Sequence, residues 1–212
     1  MPKFNIIPSK INKVRITEDD INYYLFNDDR QWMVLGKKNL DEIEDLYSSY
    51  DLATGNVLMS GLGFGILALW VAQKEGVNSV TVVESSKEVI DMFLNTNILP
   101  SNVTIINEDI NNFKTQETFD ALLLDHYELE DPEDCLKNMK EIASQIPHKT
   151  FWSWSMELMF LISLDFHFDQ ATKENWDNFT LKYFPDEESL RSMDFESIKG
   201  YTDIWYSNYY RH

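Results

Sequence analysis

Residues 56 to 156 alternate between short apolar runs and stretches in which apolar residues recur at helical spacing. The run FDALLLD is almost continuously apolar, as in a strand that is buried on both faces. This alternation predicts an α/β fold, namely a Rossmann-like, doubly wound, mostly parallel sheet with helices on both faces. The predicted strands are NVLMS, NSVTVVE, NVTIINED, FDALLLD and KTFWSWSM, and the predicted helices are ILALWVAQKEG, SSKEVIDMFLNTN and DPEDCLKNMKEIASQIP.

The flanking segments extend this domain on both sides. Residues 1–39 predict a short β-rich extension with strands at FNII, KVRIT, INYYLF and QWMVL, and residues 40–53 predict a helix that opens the Rossmann-like domain, 40–212. Beyond residue 156, ELMFLISLDFHF and DEESLRSM predict helices. FTLKYF and DIWYSNYY predict strands at an antiparallel edge of the same sheet.

Two helix ends carry local signals. Gly76 follows the helix ILALWVAQKE and is predicted to be its C-cap. Ser85 or Ser86 is predicted to cap the next helix, and Pro132 stands near the start of the one after that.

The net charge of -18, with an isoelectric point of about 4.4, narrows the classes of partner. Such a surface repels phosphate backbones, so tight binding of DNA or RNA is not expected. It suits a cationic small-molecule substrate, although the acidity also has a simpler explanation in solubility.

Cysteine usage and hydropathy indicate the cellular compartment of the protein. Cys135 is the only cysteine, which excludes a disulfide framework and a Cys-rich metal site and favours the cytoplasm. No apolar run approaches the roughly 20 residues needed to span a bilayer. His148 and His167 lack ligand-like spacing, so no metal is predicted. The oligomeric state is left open, a homo-oligomer included.

The loop SGLGFG places Gly61, Gly63 and Gly65 between the first predicted strand and helix of the alternating region. In open α/β sheets, ligands bind outside the carboxyl ends of the strands, near the point where strand order reverses. Glycines permit close backbone approach, and a helix N-terminus offers free N–H groups. The loop is therefore either a ligand-binding loop or only a tight strand–helix turn.

Two acids stand at the ends of the next predicted strands. Glu84 lies 23 residues after Gly61, where a carboxylate can accept both hydroxyls of a ribose. Asp109, in INEDI, is placed to read an adenine amino group. Each acid alone is more often a solvated strand-end charge. NAD fits less well, because its fingerprint G-x-G-x-x-G differs from the glycine spacing of this loop.

These segments resemble those of class I S-adenosylmethionine-dependent methyltransferases and of their relatives, the polyamine (spermidine) synthases. SGLGFG resembles the cofactor loop, TVVESSKEVI the ribose-binding acid with its helix, NEDI the adenine-side motif, and FDALLLD the strand that ends at the reaction centre. The resemblance covers about residues 55–155. It implies S-adenosylmethionine or its decarboxylated form as cofactor, bound by Ser60, Gly61, Leu62, Gly63, Gly65, Glu84, Ser85, Asp109, Ile110 and Asp125.

Some positions depart from one branch or the other. Methyltransferases usually carry an acid two residues before the first loop glycine, where this chain has Met59. Polyamine synthases also have an apolar residue there, and their acid–Pro pair beyond the fourth strand resembles Asp131-Pro132. Their upstream Tyr-His-Glu segment is missing from this chain.

The end of the fourth predicted strand carries the candidate chemistry. Asp125 and His126 are candidate catalytic bases, and Tyr127 is a candidate contact to cofactor or substrate. Alternatively, Asp125 caps the next helix and His126 is a surface imidazole. Trp152 and Trp154 would share one face of the fifth strand. Core packing is the default for them, and an aromatic wall for a cationic acceptor at Trp154 is the alternative.

The sequence thus predicts an S-adenosylmethionine-dependent transferase, foremost a methyltransferase. Its predicted acceptor is a small molecule such as an amine, with a protein side chain as the alternative. An aminopropyltransferase resembling spermidine synthase is the first alternative. A cofactor-binding protein without transferase activity is the second.

Overall fold

The computed structural model describes residues 5–37, 46–126 and 131–210. The first four strands form an antiparallel sheet in the order β1-β2-β3-β4. Asn12 and Asp28 adopt positive φ angles of 52° each, which suits the hairpin turns that they occupy. The strands are β1 (Ser9–Ile11), β2 (Val14–Glu18), β3 (Asn22–Asn27) and β4 (Arg30–Gly36).

The strand predicted at FNII is wrong over its described residues, because these belong to no strand and β1 begins only at Ser9. Instead, the backbone of Asn5 is bonded to the side chain of Asn97. Asn5 N donates to Asn97 Oδ1 at 2.8 Å, and Asn97 Nδ2 donates to Asn5 O at 3.0 Å. Phe4 and the boundary predicted between residues 39 and 40 lie outside the described residues.

The second sheet has five parallel strands in the order β7-β6-β5-β8-β9, which confirms the predicted Rossmann-like fold. Strand order reverses between β5 and β8, so the crevice outside their carboxyl ends is the expected ligand site. The elements are α1 (Tyr47–Leu52), β5 (Gly55–Ser60), α2 (Ile66–Ala72), β6 (Val77–Glu84), α3 (Lys87–Thr96), β7 (Val103–Asn107), β8 (Phe119–Leu124), α4 (Pro132–Gln145) and β9 (His148–Ser153). The first part of the predicted helix 40–53 lies outside the described residues.

Side-chain caps begin two of the helices of the α/β core. Ser86 caps α3 by accepting from Val89 N, and Pro132 lies in the first turn of α4, both as predicted. The N-cap of α4 is Asp131. The predicted C-cap at Gly76 is wrong, because α2 ends at Ala72 and Gly76 lies in the turn that leads into β6.

After β9 the described chain is helical, and the two predicted strands are wrong. Residues of FTLKYF lie in α6 and DIWYSNYY lies in α8. Trp176, Phe179 and Thr180 show why: they recur at helical spacing, and all three are buried. The elements are α5 (Met156–Ser163), a 3₁₀ turn (Phe168–Gln170), α6 (Lys173–Tyr183), α7 (Glu188–Ser192) and α8 (Phe195–Tyr210).

The antiparallel edge predicted for this segment is also absent from the described chain. The parallel sheet ends at β9, and α7 packs against that strand. Helices at ELMFLISLDFHF and DEESLRSM are confirmed. Over the described ranges, no helix combines the length and apolar character that crossing a bilayer requires.

Candidate active site

The carboxyl ends of β5 and β8, where the ligand site is expected, are joined by backbone contact. Asp125 N donates to Ser60 O at 2.9 Å and lies 3.2 Å from Ser60 Oγ. Ser60, the last residue of β5, is fully buried. The first residue after β8 is therefore fixed to the last residue of β5.

The glycine loop is needed by the protein's own packing. Gly61, Gly63 and Gly65 have φ angles of +85°, +51° and +78°, a region that side chains strongly disfavour. A Cβ atom on Gly61 would lie 1.8 Å from the carbonyl oxygen of Asp125. Beside Gly63 it would meet Sδ of Met33 at 2.3 Å, and beside Gly65 the ring of Phe93 at 2.2 Å. The tight-turn reading thus accounts for all three glycines, and the loop presents backbone rather than side chains at the site.

Glu84 ends β6 and joins that strand to the glycine loop. Its side chain is buried, with 7% relative exposure for the residue. Oε2 accepts from Leu62 N at 2.8 Å, and Oε1 accepts from Ser86 N at 2.7 Å. A carboxylate offers about four acceptor positions, so each oxygen keeps one for a further donor. These two free acceptor positions fit the two vicinal hydroxyls of a ribose, which would donate to them. Ser85 is exposed beside it.

Asp125 is half-buried at the mouth of the crevice. Burial, and secondly the negative charge of Glu84, raise its pKa to about 7. The capping alternative does not hold, because Asp131 is the N-cap of α4 and accepts from Glu133 N at 2.9 Å. A carboxyl group with a near-neutral pKa can exchange a proton with an acceptor at physiological pH.

Asp109 is exposed in the turn after β7, two residues beyond that strand's last residue, Asn107. Its Oδ1 accepts from both N and Nδ2 of Asn111 at 2.9 Å. Asn107 Nδ2 donates to the backbone oxygen of Glu84 at 2.9 Å, which fixes this turn beside the end of β6. Ile110 is a core residue with 5% exposure.

His126 is half-buried and contacts polar groups through both ring nitrogens. Nδ1 lies 2.5 Å from Ser60 Oγ, and Nε2 lies 3.4 Å from Asn138 Oδ1. Burial lowers the pKa of the ring to about 4, although the Asn138 bond and the charge of Asp109 oppose this shift. These contacts do not match a freely solvated surface imidazole.

The two tryptophans occupy different environments, and the prediction that they share a strand face is wrong, because β9 ends at Ser153. Trp152 is fully buried and donates from Nε1 to Ser48 Oγ at 2.9 Å, so it belongs to the core. Trp154 is half-buried, and its N donates to Leu124 O at 2.7 Å, which places its backbone beside the end of β8. The predicted contact Tyr127 lies outside the described residues.

Three residues at this site have no signal in the sequence. Asn111 and Asn138 are ordinary polar residues 27 positions apart, yet Asn138 Nδ2 donates to Asn111 Oδ1 at 2.6 Å. Met33 reaches the glycine loop from β4, in the separate N-terminal sheet. Only the tertiary arrangement brings them to the site.

The sequence matches no protein-family model and no curated protein, whereas solved structures resemble the fold. Spermidine synthase from Thermotoga maritima is 16% identical, with a TM-score of 0.54, and the match covers 85% of this chain and 64% of that one. Protein arginine methyltransferase 10 from Arabidopsis thaliana is 20% identical, with a TM-score of 0.40, over 77% of this chain and 50% of that one.

A third match is an S-adenosylmethionine-dependent methyltransferase from Clostridium acetobutylicum, 18% identical with a TM-score of 0.36, over 53% of this chain and 47% of that one. The chain thus spans between 47% and 64% of the length of these three solved chains. At such low identity the likeness concerns the fold. The described chain has the predicted Rossmann-like α/β fold, and this fold is similar to that of spermidine synthase from Thermotoga maritima.

Proposed function

We propose that this protein is an S-adenosylmethionine-dependent transferase, foremost a methyltransferase, whose cofactor binds in the crevice between β5 and β8. One observation carries the proposal. Glu84 ends β6 and Asp125 directly follows β8. The carboxylate of Glu84 accepts from Leu62 N in the glycine loop, and the backbone carbonyl of Asp125 packs against Gly61 of the same loop. The acid proposed to bind the ribose diol and the acid proposed to accept a proton thus lie next to one backbone turn.

Different residues are proposed to bind different parts of the cofactor. Glu84 is proposed to accept the ribose hydroxyls with the acceptor positions that Leu62 N and Ser86 N leave open. Asp109 is proposed to accept from the adenine amino group, beside the apolar surface of Ile110. Ser60, Gly63, Gly65 and Ser85 are proposed to line the cofactor through backbone atoms.

Asp125 is proposed to be the general base. When bound, the cofactor supplies an electrophilic carbon on a sulfonium, with a neutral thioether as the leaving group. The acceptor nitrogen forms the new bond to that carbon as the carbon–sulfur bond breaks, and its N–H proton passes to the Asp125 carboxylate. The pKa of about 7 suits this transfer, because the group is ionised in part at neutral pH and holds the proton that it takes.

The acceptor is proposed to be a small cationic amine. The net charge of -18 attracts cations over the whole surface, and Glu84, Asp109 and Asp125 add negative charge close to the crevice. Trp154, and Tyr127 beyond the described residues, are proposed to contact the acceptor. Such a ring binds a cationic amine through its face.

Aminopropyl transfer from decarboxylated S-adenosylmethionine is the second candidate. The observation that favours it is Met59, which is 1% exposed within β5. A carboxylate is costly at so buried a position, so this chain uses an apolar residue there, as the polyamine synthases do. The same base and the same sulfonium chemistry would serve, with methylthioadenosine as the leaving product.

The test is a product analysis. The full chain is incubated with S-adenosylmethionine or its decarboxylated form and a panel of polyamines and small amines, and the sulfur-containing product is identified by mass spectrometry. S-adenosylhomocysteine supports methyl transfer, and methylthioadenosine supports aminopropyl transfer. If the chain binds the cofactor but forms neither product, the transferase proposal is overturned in favour of a non-catalytic binder.

A further inference from the structure

A continuous row of side-chain hydrogen bonds crosses the carboxyl edge of the sheet. It begins at Ser60, passes through His126 and Asn138, and reaches Asn111 and then Asp109. The successive heavy-atom distances are 2.5, 3.4, 2.6 and 2.9 Å. The row connects β5, the loop after β8, helix α4 and the turn after β7, which are four separate segments of the chain.

The chemistry of the groups fixes the direction of every bond. The Asp109 carboxylate only accepts, so Asn111 must present its Nδ2 there and its Oδ1 towards Asn138. Asn138 must then present Nδ2 to Asn111 and Oδ1 to the imidazole, which requires a proton on Nε2 of His126. In this neutral tautomer Nδ1 is an acceptor, and it accepts a hydrogen bond from the hydroxyl of Ser60.

We propose that Asn138 and Asn111 are positioning residues for the candidate site. Together with His126 they form a chain of hydrogen bonds with fixed donor directions, called the relay below, which fixes the orientation of the Asp109 carboxylate. The inference rests on the proposed function, in which Asp109 faces the adenine ring. It also assigns His126 a positioning role, because both ring nitrogens contact polar groups of the protein.

The relay has a consequence for specificity. Asp109 is exposed, and an exposed carboxylate would otherwise rotate and accept donors from several directions. Asn111 occupies Oδ1 with two donors, and among the described residues no hydrogen bond involves Oδ2. Oδ2 is then the oxygen presented to the ligand. It accepts from the exocyclic amino group of adenine and opposes the oxo group of hypoxanthine, since two acceptors would meet.

The test compares S-adenosylhomocysteine with S-inosylhomocysteine by calorimetry. In the wild type the adenosyl compound binds more tightly. Asn138→Leu breaks the relay in the middle, and we expect the ratio of the two dissociation constants to fall about tenfold, as loss of one hydrogen bond allows. Asn111→Ala changes an exposed loop residue and removes its side-chain bonds to Asn138 and Asp109, so the ratio should fall by a similar factor. Asn112→Leu is the matched control, because Asn112 is the exposed neighbour outside the relay.

A ligand-free measurement tests the relay itself. Proton–nitrogen correlation NMR spectra should show His126 as the neutral Nε2–H tautomer near pH 7, assigned by its loss in His126→Asn among the chain's 4 histidines. A ring protonated on Nδ1 alone would overturn the relay. An unchanged ratio in folded Asn138→Leu and Asn111→Ala would overturn the positioning role. If the wild type bound neither compound, the proposed function would fail and that role with it, while the spectrum would still decide whether the relay exists.

Discussion

The carboxylate of Glu84 accepts a hydrogen bond from the backbone N–H of Leu62 at 2.8 Å, so the end of β6 holds the glycine loop that follows β5. Its other oxygen accepts from Ser86 N, at the cap of α3. One buried acid therefore joins two loops whose backbone faces the proposed cofactor. A change at Glu84 is expected to affect the geometry of the loop as well as any direct contact to a ribose.

Glu84→Gln should weaken binding of S-adenosylhomocysteine. The amide replaces one acceptor oxygen by a donor, which opposes a backbone N–H and removes the charged acceptor for a ribose hydroxyl. We expect a loss of about 1.5–3 kcal/mol, or about 10- to 150-fold in affinity, measured by calorimetry. Asp91→Asn, an acid on the same helix–loop unit that pairs with Lys87 away from the loop, is the control. Unchanged affinity in folded Glu84→Gln would mean that Glu84 connects β6 to the glycine loop but does not contact the ligand.

Asp125→Asn should separate binding from chemistry. The amide keeps the shape of the side chain and removes the base, so turnover should fall about 10²- to 10⁴-fold while cofactor affinity changes little. In the wild type, kcat should rise with pH through about 7, because the base works only when it is deprotonated. Asp120→Asn, near the start of the strand that Asp125 follows, is the control. Lost affinity with normal turnover would place Asp125 in the cofactor pocket.

Gly61→Ala and Gly200→Ala should have opposite effects on stability. Gly61 has a φ angle of +85°, and an added Cβ would lie 1.8 Å from a backbone oxygen, so alanine should cost more than about 2 kcal/mol. Gly200 is an exposed residue within α8, and a Cβ there meets nothing within 4 Å. Alanine should therefore gain about 0.5–1 kcal/mol there. Urea denaturation measures both, and a well-tolerated Gly61→Ala would contradict the loop geometry.

The pair formed by His148 and Glu187 should make stability depend on pH. The ring donates from Nε2 to Glu187 at 3.0 Å and from Nδ1 to the carbonyl of Ile146 at 2.7 Å. Burial alone would lower the pKa of His148, but the bonds to Glu187 and Ile146 outweigh it and raise the pKa. For a raised pKa, the stabilisation is fully present below the ordinary value of about 6.5 and is lost as pH rises through the folded value.

Glu187→Gln should accordingly cost about 1.5 kcal/mol near pH 6 and less above pH 8, measured by thermal unfolding across that range. Asp186→Asn removes the same charge from an exposed neighbour and should show no such pH dependence. A constant difference between wild type and Glu187→Gln over the range would mean that His148 stays neutral in the fold.

The sequence predicts the α/β core well because each element there has its own local signal. Apolar runs mark β5 and β8, and β-branched runs mark β6 and β7. Ser86 and Asp131 cap the helices that follow β6 and β8. The C-terminal segment was harder, since aromatic and β-branched residues favour strands locally. Tertiary packing overrides this local preference. Trp176 and Phe179 are both buried on one face, and this burial requires a helix.

The site was predictable only in part, for a related reason. Strand ends can be located from the sequence, so Glu84, Asp125 and the glycines could be singled out. The partners Asn111, Asn138 and Met33 come from elements that are distant along the chain and meet only in the folded protein. Hydrogen bonds between ordinary polar residues leave no spacing pattern.

The most direct test of the proposed function is cofactor binding by the wild-type chain. S-adenosylhomocysteine or S-adenosylmethionine should raise the melting temperature in a thermal-shift series, because a ligand at 100 times its dissociation constant stabilises the native state by about 2.7 kcal/mol. NAD at the same concentrations should have no comparable effect. Stabilisation by NAD, with none by any adenosyl-sulfur compound, would contradict the proposed cofactor and every role that depends on it.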